Sequence, residues 1–287
     1  MPDARFQRSR VSLEIHGHRG CRGLLPENTL PGFLHALALE VDVLEMDVVV
    51  SADCQVVVSH EPWLNPDFCL SPAGKRIAPG YGAEFNLFRM TYAEIQRCDC
   101  GSLGHPRFPA QVPVACCKPL LREVLAASEA AVFATKRAPV RYSVEIKSSP
   151  EGDKTYHPEP VEFVDLVVAE LAAASVLARV TVLSFDMRVL QALRQRHPGV
   201  ATCLLLEGPM PWPDAVRTLG FEPTTLGPDY VSVTPEAVAA LRRDHPGMRL
   251  VPWTVNIPSD MRRLIALGVD GLTTDYPDKL LAIRTGL

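Results

Sequence analysis

The sequence predicts an α/β protein built as a (β/α)8 barrel with an insertion after the second strand. Three observations lead there. Short apolar runs alternate with segments of helical periodicity, and over the whole chain strand and helix alternate about eight times, which favours a barrel over a doubly wound sheet. The length of 287 residues exceeds the usual single domain yet suits a barrel folded as one unit, residues 1–287. The residues with chemistry to offer, His18, Glu45, Asp47, Glu145, Lys147, Trp253 and Asp275, fall within or at the C-terminal ends of expected strands. In this architecture that rim carries the active site.

Taken in order, Val11 to Ile15 alternates as a first strand running into His18. Asn28 or Thr29 caps a helix whose apolar face is Leu30, Phe33, Leu34 and Leu37. Val43 to Val50 is the second strand, and Val56 to Ser59 pairs back on it as a hairpin around Asp53-Cys54. Residues 61–117 lose all period and carry Pro62, Pro66, Pro72, Pro79, Pro106, Pro109 and Pro113. So long an irregular stretch reads as an insertion packed near the barrel mouth rather than a plain loop. The rhythm then resumes with helix Leu120–Ala131, strand Tyr142–Ile146 and helix Val161–Leu171. Strand Val180–Phe185, helix Met187–Arg196, strand Val200–Leu206 and a short helix Asp214–Leu219 follow. Strand Tyr230–Val233, helix Pro235–Arg243, strand Leu250–Val255, helix Ser259–Leu267, strand Gly271–Thr274 and a closing helix complete the chain.

Composition narrows the partners. A 47% hydrophobic, 22% charged chain is ordinary for a globular protein able to bury a sizeable core. A net charge of −4 lacks the basic footprint of a nucleic-acid binder, so no nucleic-acid partner is expected. No window has the apolar length of a transmembrane segment, and MPDARFQRSR lacks a signal-peptide core. The expected location is cytoplasmic, with a periplasmic or secreted mature form as the alternative; nothing in the sequence fixes an oligomeric state. Cys98, Cys100, Cys116 and Cys117 with His105 between them invite a zinc site, but the paired C-x-x-C spacing is missing, which favours buried free thiols.

Glu45 and Asp47, two apart on a strand, project to the same face. Buried together they repel and are costly to desolvate, a problem solved by a cation or by basic partners. With Glu145 they form a hard oxygen set suited to one divalent ion, Mg²⁺ or Ca²⁺. A salt-bridge network with Arg19 and Lys147 is the competing account. His18 and His60 end strands flanking these carboxylates; His16 shares the parity of His18. Arg19 and Lys147 offer fixed positive charge to an anionic substrate. Trp253 is core or an apolar wall for substrate.

Taken together, His18-Arg19-Gly20, Pro26-Glu27-Asn28-Thr29, Glu45-x-Asp47, His60-Glu61, Glu145-Ile146-Lys147, Trp253-Thr254-Val255-Asn256, Asp270-Gly271 and Thr274-Asp275-Tyr276-Pro277 resemble the glycerophosphodiester phosphodiesterase family. The resemblance implies a TIM barrel with an insertion after the second strand. It implies a metal-dependent hydrolase acting on a small-molecule glycerophosphodiester, with Glu45, Asp47 and Glu145 on the metal and His18 and His60 as acid and base. Arg19 and Lys147 would contact phosphate, and the substrate's glycerol hydroxyl would attack to give a cyclic phosphate that water opens. Products would be glycerol 3-phosphate and an alcohol, a step of lipid and glycerol metabolism. Glu61 departs from the family's usual Asp, and Lys118-Pro119-Leu120 from its usual Pro-Thr-Leu. Alternatives are a sphingomyelinase D-like or lysophospholipase D-like enzyme, or a catalytically silent phosphodiester-binding barrel.

Overall fold

Alternate residues of each strand face opposite ways, and here the outward set is apolar while much of the inward set is polar. The structure, a computed structural model, describes residues 13–208 and 210–286. Its strands are β1 (Glu14–Gly17), β2 (Val43–Val50), β3 (Val56–Val58), β4 (Arg141–Ile146), β5 (Val180–Ser184), β6 (Ala201–Leu206), β7 (Thr225–Pro228), β8 (Arg249–Leu250) and β9 (Gly271–Thr274). The helices are α1 (Leu30–Ala38), the single turn α2 (Tyr92–Ile95), α3 (Leu121–Thr135), α4 (Pro160–Ala173), α5 (Met187–Arg196), α6 (Trp212–Leu219), α7 (Pro235–Asp244), α8 (Pro258–Ala266) and α9 (Pro277–Thr285). Eight parallel strands pair in the order β8-β7-β6-β5-β4-β2-β1-β9, and β3 pairs antiparallel with β2. Asp270 N to Leu250 O at 2.9 Å, Thr273 N to Pro252 O at 3.1 Å and Val255 N to Thr273 O at 2.9 Å draw the two ends together into a nearly closed barrel.

Outside the ring, Ile15, Leu44, Met46, Val48, Val144 and Val182 meet Phe33, Leu37, Val124, Leu125, Phe163 and Val167 of the helices in one buried core. Burial of this kind stabilises by about 25 cal/mol per Å² of apolar surface. Inside the ring, where barrels usually pack bulky branched side chains, stand His16, Glu45, Ser143, Glu145, Thr181, Thr225 and Thr273. These small or polar groups leave a cavity in place of a packed centre.

Several expectations need correction. Val11 lies outside the described residues, and the first strand starts at Glu14. Thr29, not Asn28, caps α1 by accepting from Gly32 N. Tyr230–Val233 is not a strand: Tyr230–Ser232 is a 3-10 turn capped by Asp229, and the strand is Thr225–Pro228. Its Gly227-Pro228 ending masked it, since both residues are poor strand formers. Of the run Leu250–Val255 only Leu250 lies in a regular strand, Arg249–Leu250, because Pro252 has no N–H to give, and Trp253 makes an isolated bridge with Asp229. Val251 and Trp253 still donate to Leu226 O and Pro228 O. Residues 61–117 include short helical turns at Gly82–Phe85, Leu87–Arg89 and Tyr92–Ile95. Their own core, Leu64, Phe68, Cys69, Leu87, Ile95, Cys98 and Cys100, packs on Val49, Val57 and Leu120. All eight thiols are free.

Candidate active site

The tight β1–α1 loop sets the first half of the site. Gly20 has φ 86°, and a Cβ there would stand 2.8 Å from the Gly32 backbone, so only glycine lets the loop lie against α1. That approach brings the Arg19 N–H to Glu45 Oε2 at 2.9 Å. It also brings Asn28, at φ 55°, to Asp47, with Nδ2 donating to Oδ2 at 2.8 Å. β2 carries Glu45 and Asp47 on its inner face, and β4, registered Asp47 against Glu145, adds the third carboxylate. The three offer oxygens all within 4.8 Å of one another. Glu45 and Glu145 line a cavity of about 670 Å³, while Asp47, fully buried, lies behind them.

The two histidines reach the same cavity. His18 is 8% exposed; its Nδ1 stands 2.6 Å from Asp275 Oδ1, and its Nε2 is 3.9 Å from Glu45 Oε2. Asp275 is held in turn by Arg22 Nε at 2.9 Å and Asn256 Nδ2 at 2.7 Å. Burial raises the proton affinity of Asp275, but His18 and Arg22 outweigh it and keep this carboxylate ionised. It therefore accepts, and His18 Nδ1 carries the hydrogen. Burial, with Arg22 assisting and Asp275 opposing, takes His18 down to about 4, so it is neutral at pH 7. His60, closing the β2–β3 hairpin, is part-exposed and has Nδ1 3.0 Å from Glu61 Oε1. Burial opposes ionisation of Glu61, yet His60 and Lys118 bring it down to about 2.

The basic partners are present too. Arg19 donates to Glu27 Oε1 at 2.8 Å and has Nε 3.1 Å from Asp47 Oδ2; Lys147 donates to Glu145 Oε1 at 2.6 Å and stands 3.8 Å from Asp47 Oδ1. Asp47 is accordingly held well below the usual carboxylate range, against its burial. Glu45 is not compensated: burial, then Asp47 and Glu145, push it well above that range. Burial also raises Glu145, with Lys147 opposing and Asp47 adding. Two basic groups thus leave the trio short of positive charge, and Asp47 Oδ1 has no hydrogen-bond donor. These residues fit a small divalent cation as hard ligands.

All eight residues singled out in the sequence, His18, Arg19, Glu45, Asp47, His60, Glu145, Lys147 and Trp253, converge here. Trp253 forms a wall, its Nε1 donating to Gly227 O at 2.8 Å and its ring meeting Phe185 edge-on at 5.3 Å. The Trp253–Thr254 peptide is cis. His16 sits deeper, 3.2 Å from Glu14 Oε2. Sequence reasoning left Arg22, Glu27, Glu61 and Asn256 without roles, offered Asn28 only as a helix cap and gave Asp275 only a place on the rim. Except for Arg22, which no quoted motif includes, their signal was membership in the same motifs; their pairing across the fold is invisible in one dimension.

A family model for the glycerophosphoryl diester phosphodiesterase family matches residues 18–279. A Bacillus altitudinis glycerophosphodiester phosphodiesterase is 30% identical over 275 residues, covering 94% of this chain and 98% of its own. A crystal structure of a Silicibacter pomeroyi protein, provisionally named a glycerophosphoryl diester phosphodiesterase, is 33% identical with a TM-score of 0.84, over 97% of this chain and 96% of that one. An Oleispira antarctica phosphodiesterase in complex with the product sn-glycerol-3-phosphate shares the fold at a TM-score of 0.73 and 19% identity, over 96% and 97% of the two chains.

Proposed function

Since the chain belongs to the glycerophosphoryl diester phosphodiesterase family, we propose that it hydrolyses glycerophosphodiesters to glycerol 3-phosphate and a free alcohol, with His18 as base and His60 as acid. One observation carries the reading: two carboxylate-anchored histidines and a charge-deficient carboxylate trio share one cavity. The product bound by the Oleispira relative supports the glycerol phosphate side of the reaction.

His18 gives its Nδ1 hydrogen to Asp275, so a lone pair on Nε2 faces the site and can take the proton of an attacking hydroxyl. His60 gives Nδ1–H to the ionised Glu61, leaving Nε2 to carry the proton delivered to the departing alkoxide. Arg19 and Lys147 add fixed positive charge beside the phosphate position. Glu45, Asp47 and Glu145 would hold one divalent cation, Mg²⁺ or Ca²⁺, which when bound supplies Lewis-acid stabilisation of charge on the phosphoryl oxygens. Residues 61–117, which bring Arg107 to the same cavity, bear on substrate choice.

The test is release of glycerol 3-phosphate from a panel of glycerophosphodiesters, with and without chelator. Release from at least one diester, abolished by Glu45→Gln, is expected. Binding of diesters with no release would turn the reading into a silent barrel.

A further inference from the structure

Lys118 is 3% exposed, an ammonium side chain buried beside the core of the insertion. The backbone puts it there: Val57 bridges antiparallel to Leu120, and Val58 N donates to Pro119 O at 2.8 Å. The segment 118–120 thus runs along β3, and Lys118 comes alongside the bend at 59–61 that carries His60. Its Nζ lies 5.8 Å from the Phe68 ring. Burying an ammonium is costly unless charge of opposite sign answers it. Burial opposes the charge of Lys118; Cys69 and Cys100, then Glu61 and Glu27, favour it. Thiols are mostly protonated at neutral pH, so the two carboxylates are the anions that answer Lys118.

Those carboxylates are unevenly served. Glu27 has Arg19 Nη1 at 2.8 Å from Oε1, with Arg22 Nη1 at 3.6 Å and His105 Nε2 at 3.9 Å from Oε2. The Glu61 carboxylate has His60 alone as a direct partner among the described residues: Nδ1 meets Oε1 at 3.0 Å, and Oε2 is buried without a hydrogen-bond donor. Arg19, whose charge also bears on Glu61, is already engaged by Glu27 and Asp47.

We propose that Lys118 is a positioning residue for the reaction: its ammonium holds the Glu61 carboxylate against His60 Nδ1, and so keeps His60 Nε2 aimed at the departing alcohol. The proposal rests on the phosphodiesterase reading and extends it to a residue outside the cavity lining. In that reading His60 hands the proton on Nε2 to the alkoxide. Before the transfer, a Glu61 without support can take the Nδ1 proton from the imidazolium, which leaves a neutral ring and a poor acid. After it, Glu61 faces a neutral ring while its burial still disfavours charge, and it would turn out to water. Lys118 opposes both moves with a positive charge that does not change during turnover, in a setting shielded from water where such a charge acts strongly.

The experiment compares release of glycerol 3-phosphate by the metal-loaded enzyme from two substrates. One is the alkyl diester it hydrolyses fastest; the other is the nitrophenyl diester of glycerol 3-phosphate, whose alcohol leaves with little protonation. Lys118→Met is expected to lower kcat about 10- to 100-fold on the alkyl diester with KM little changed, and less than about 3-fold on the nitrophenyl diester. Glu61→Gln should show the same split. The double variant should lose no more than Glu61→Gln alone, since residues acting through one ring are not additive. Removing both charges leaves neither buried without its counterpart, so the double variant is expected to fold even where Lys118→Met does not. Equal losses on both substrates, as a packing role or an effect through Glu27 and Arg19 would give, overturn the proposal and leave the phosphodiesterase reading standing. A loss in the double variant beyond that of Glu61→Gln places Lys118 on another partner and overturns it too. A wild type that releases glycerol 3-phosphate from neither diester overturns both readings.

Discussion

At the scale of single residues, each histidine has a carboxylate at its Nδ1, Asp275 for His18 and Glu61 for His60, which in the proposed mechanism makes Nε2 the working atom. The two differ in surroundings: His18 is buried with Arg22 and Arg19 close by, whereas His60 is part-exposed beside a lone Glu61. This difference is the ground for proposing His18 as base and His60 as acid. Alanine at either position is expected to lower turnover about 10²- to 10⁴-fold, the range of general acid–base catalysis. A nitrophenyl ester needs little protonation as its alcohol leaves, so it should restore much of the rate to His60→Ala and little to His18→Ala. Equal losses on both substrates would end the assignment. In that mechanism Asp275 would be a positioning residue that acts through His18. Asp275→Asn should drop kcat by roughly 10²-fold or more with KM little changed, because the tautomer is no longer dictated. A KM effect alone would show that Asp275 merely shapes the pocket.

At the scale of elements, the inner faces of β1, β2 and β4 were legible because polar residues interrupt apolar runs with a period of two. Glu45, Asp47 and Glu145 could be placed together from parity and barrel topology alone. The β7 strand was not legible, since Thr225–Pro228 ends in Gly-Pro and its pairing is dictated by its neighbours. Asp275 was visible as a rim residue, but its bond to His18 spans 257 positions, which no local pattern encodes. The insertion was legible only as an absence of period; its core of Leu64, Phe68, Leu87 and Ile95 depends on the outer surface of β2 and β3. Excising residues 61–117 would bare Val49 and Val57, so a gentler probe is preferable. Arg107 is exposed, lines the catalytic cavity and stacks its guanidinium over Phe108 at 5.7 Å. Arg107→Ala is expected to change relative rates across leaving groups by a few-fold while the melting temperature stays within about 1 °C, as exposed substitutions usually do. Identical relative rates in wild type and variant would remove Arg107 from substrate choice.

At the scale of the whole molecule, an apolar belt between sheet and helices supports a polar interior, and the cost of that interior falls on the trio. Among the described residues Glu45, Asp47 and Glu145 are the one group of three whose ligand atoms could hold a metal. Without a cation, Glu45 and Glu145 hold protons above the usual carboxylate range in the folded state. A carboxyl group whose folded pKa is raised adds stability below its unfolded value near 4.5, and that contribution is lost as pH rises through the folded value. The metal-free protein should therefore lose stability as pH climbs from about 4.5 upward through this window. A divalent ion binds the ionised ligands and competes with those protons, so its stabilising effect must grow with pH in the same window. At 100 times its dissociation constant the ion contributes about 2.7 kcal/mol, which for a chain of this size raises the melting temperature by about 5–10 °C. Melting curves with Mg²⁺, Ca²⁺ and chelator across pH 5 to 8 (about the working range of most proteins) read this directly, without recourse to activity. Glu45→Gln and Asp47→Asn should each abolish the shift, and chelation should abolish turnover. A melting temperature indifferent to both ions at every pH, together with full turnover in chelator, would leave Arg19 and Lys147 as the trio's only compensation and the site as a salt-bridge network.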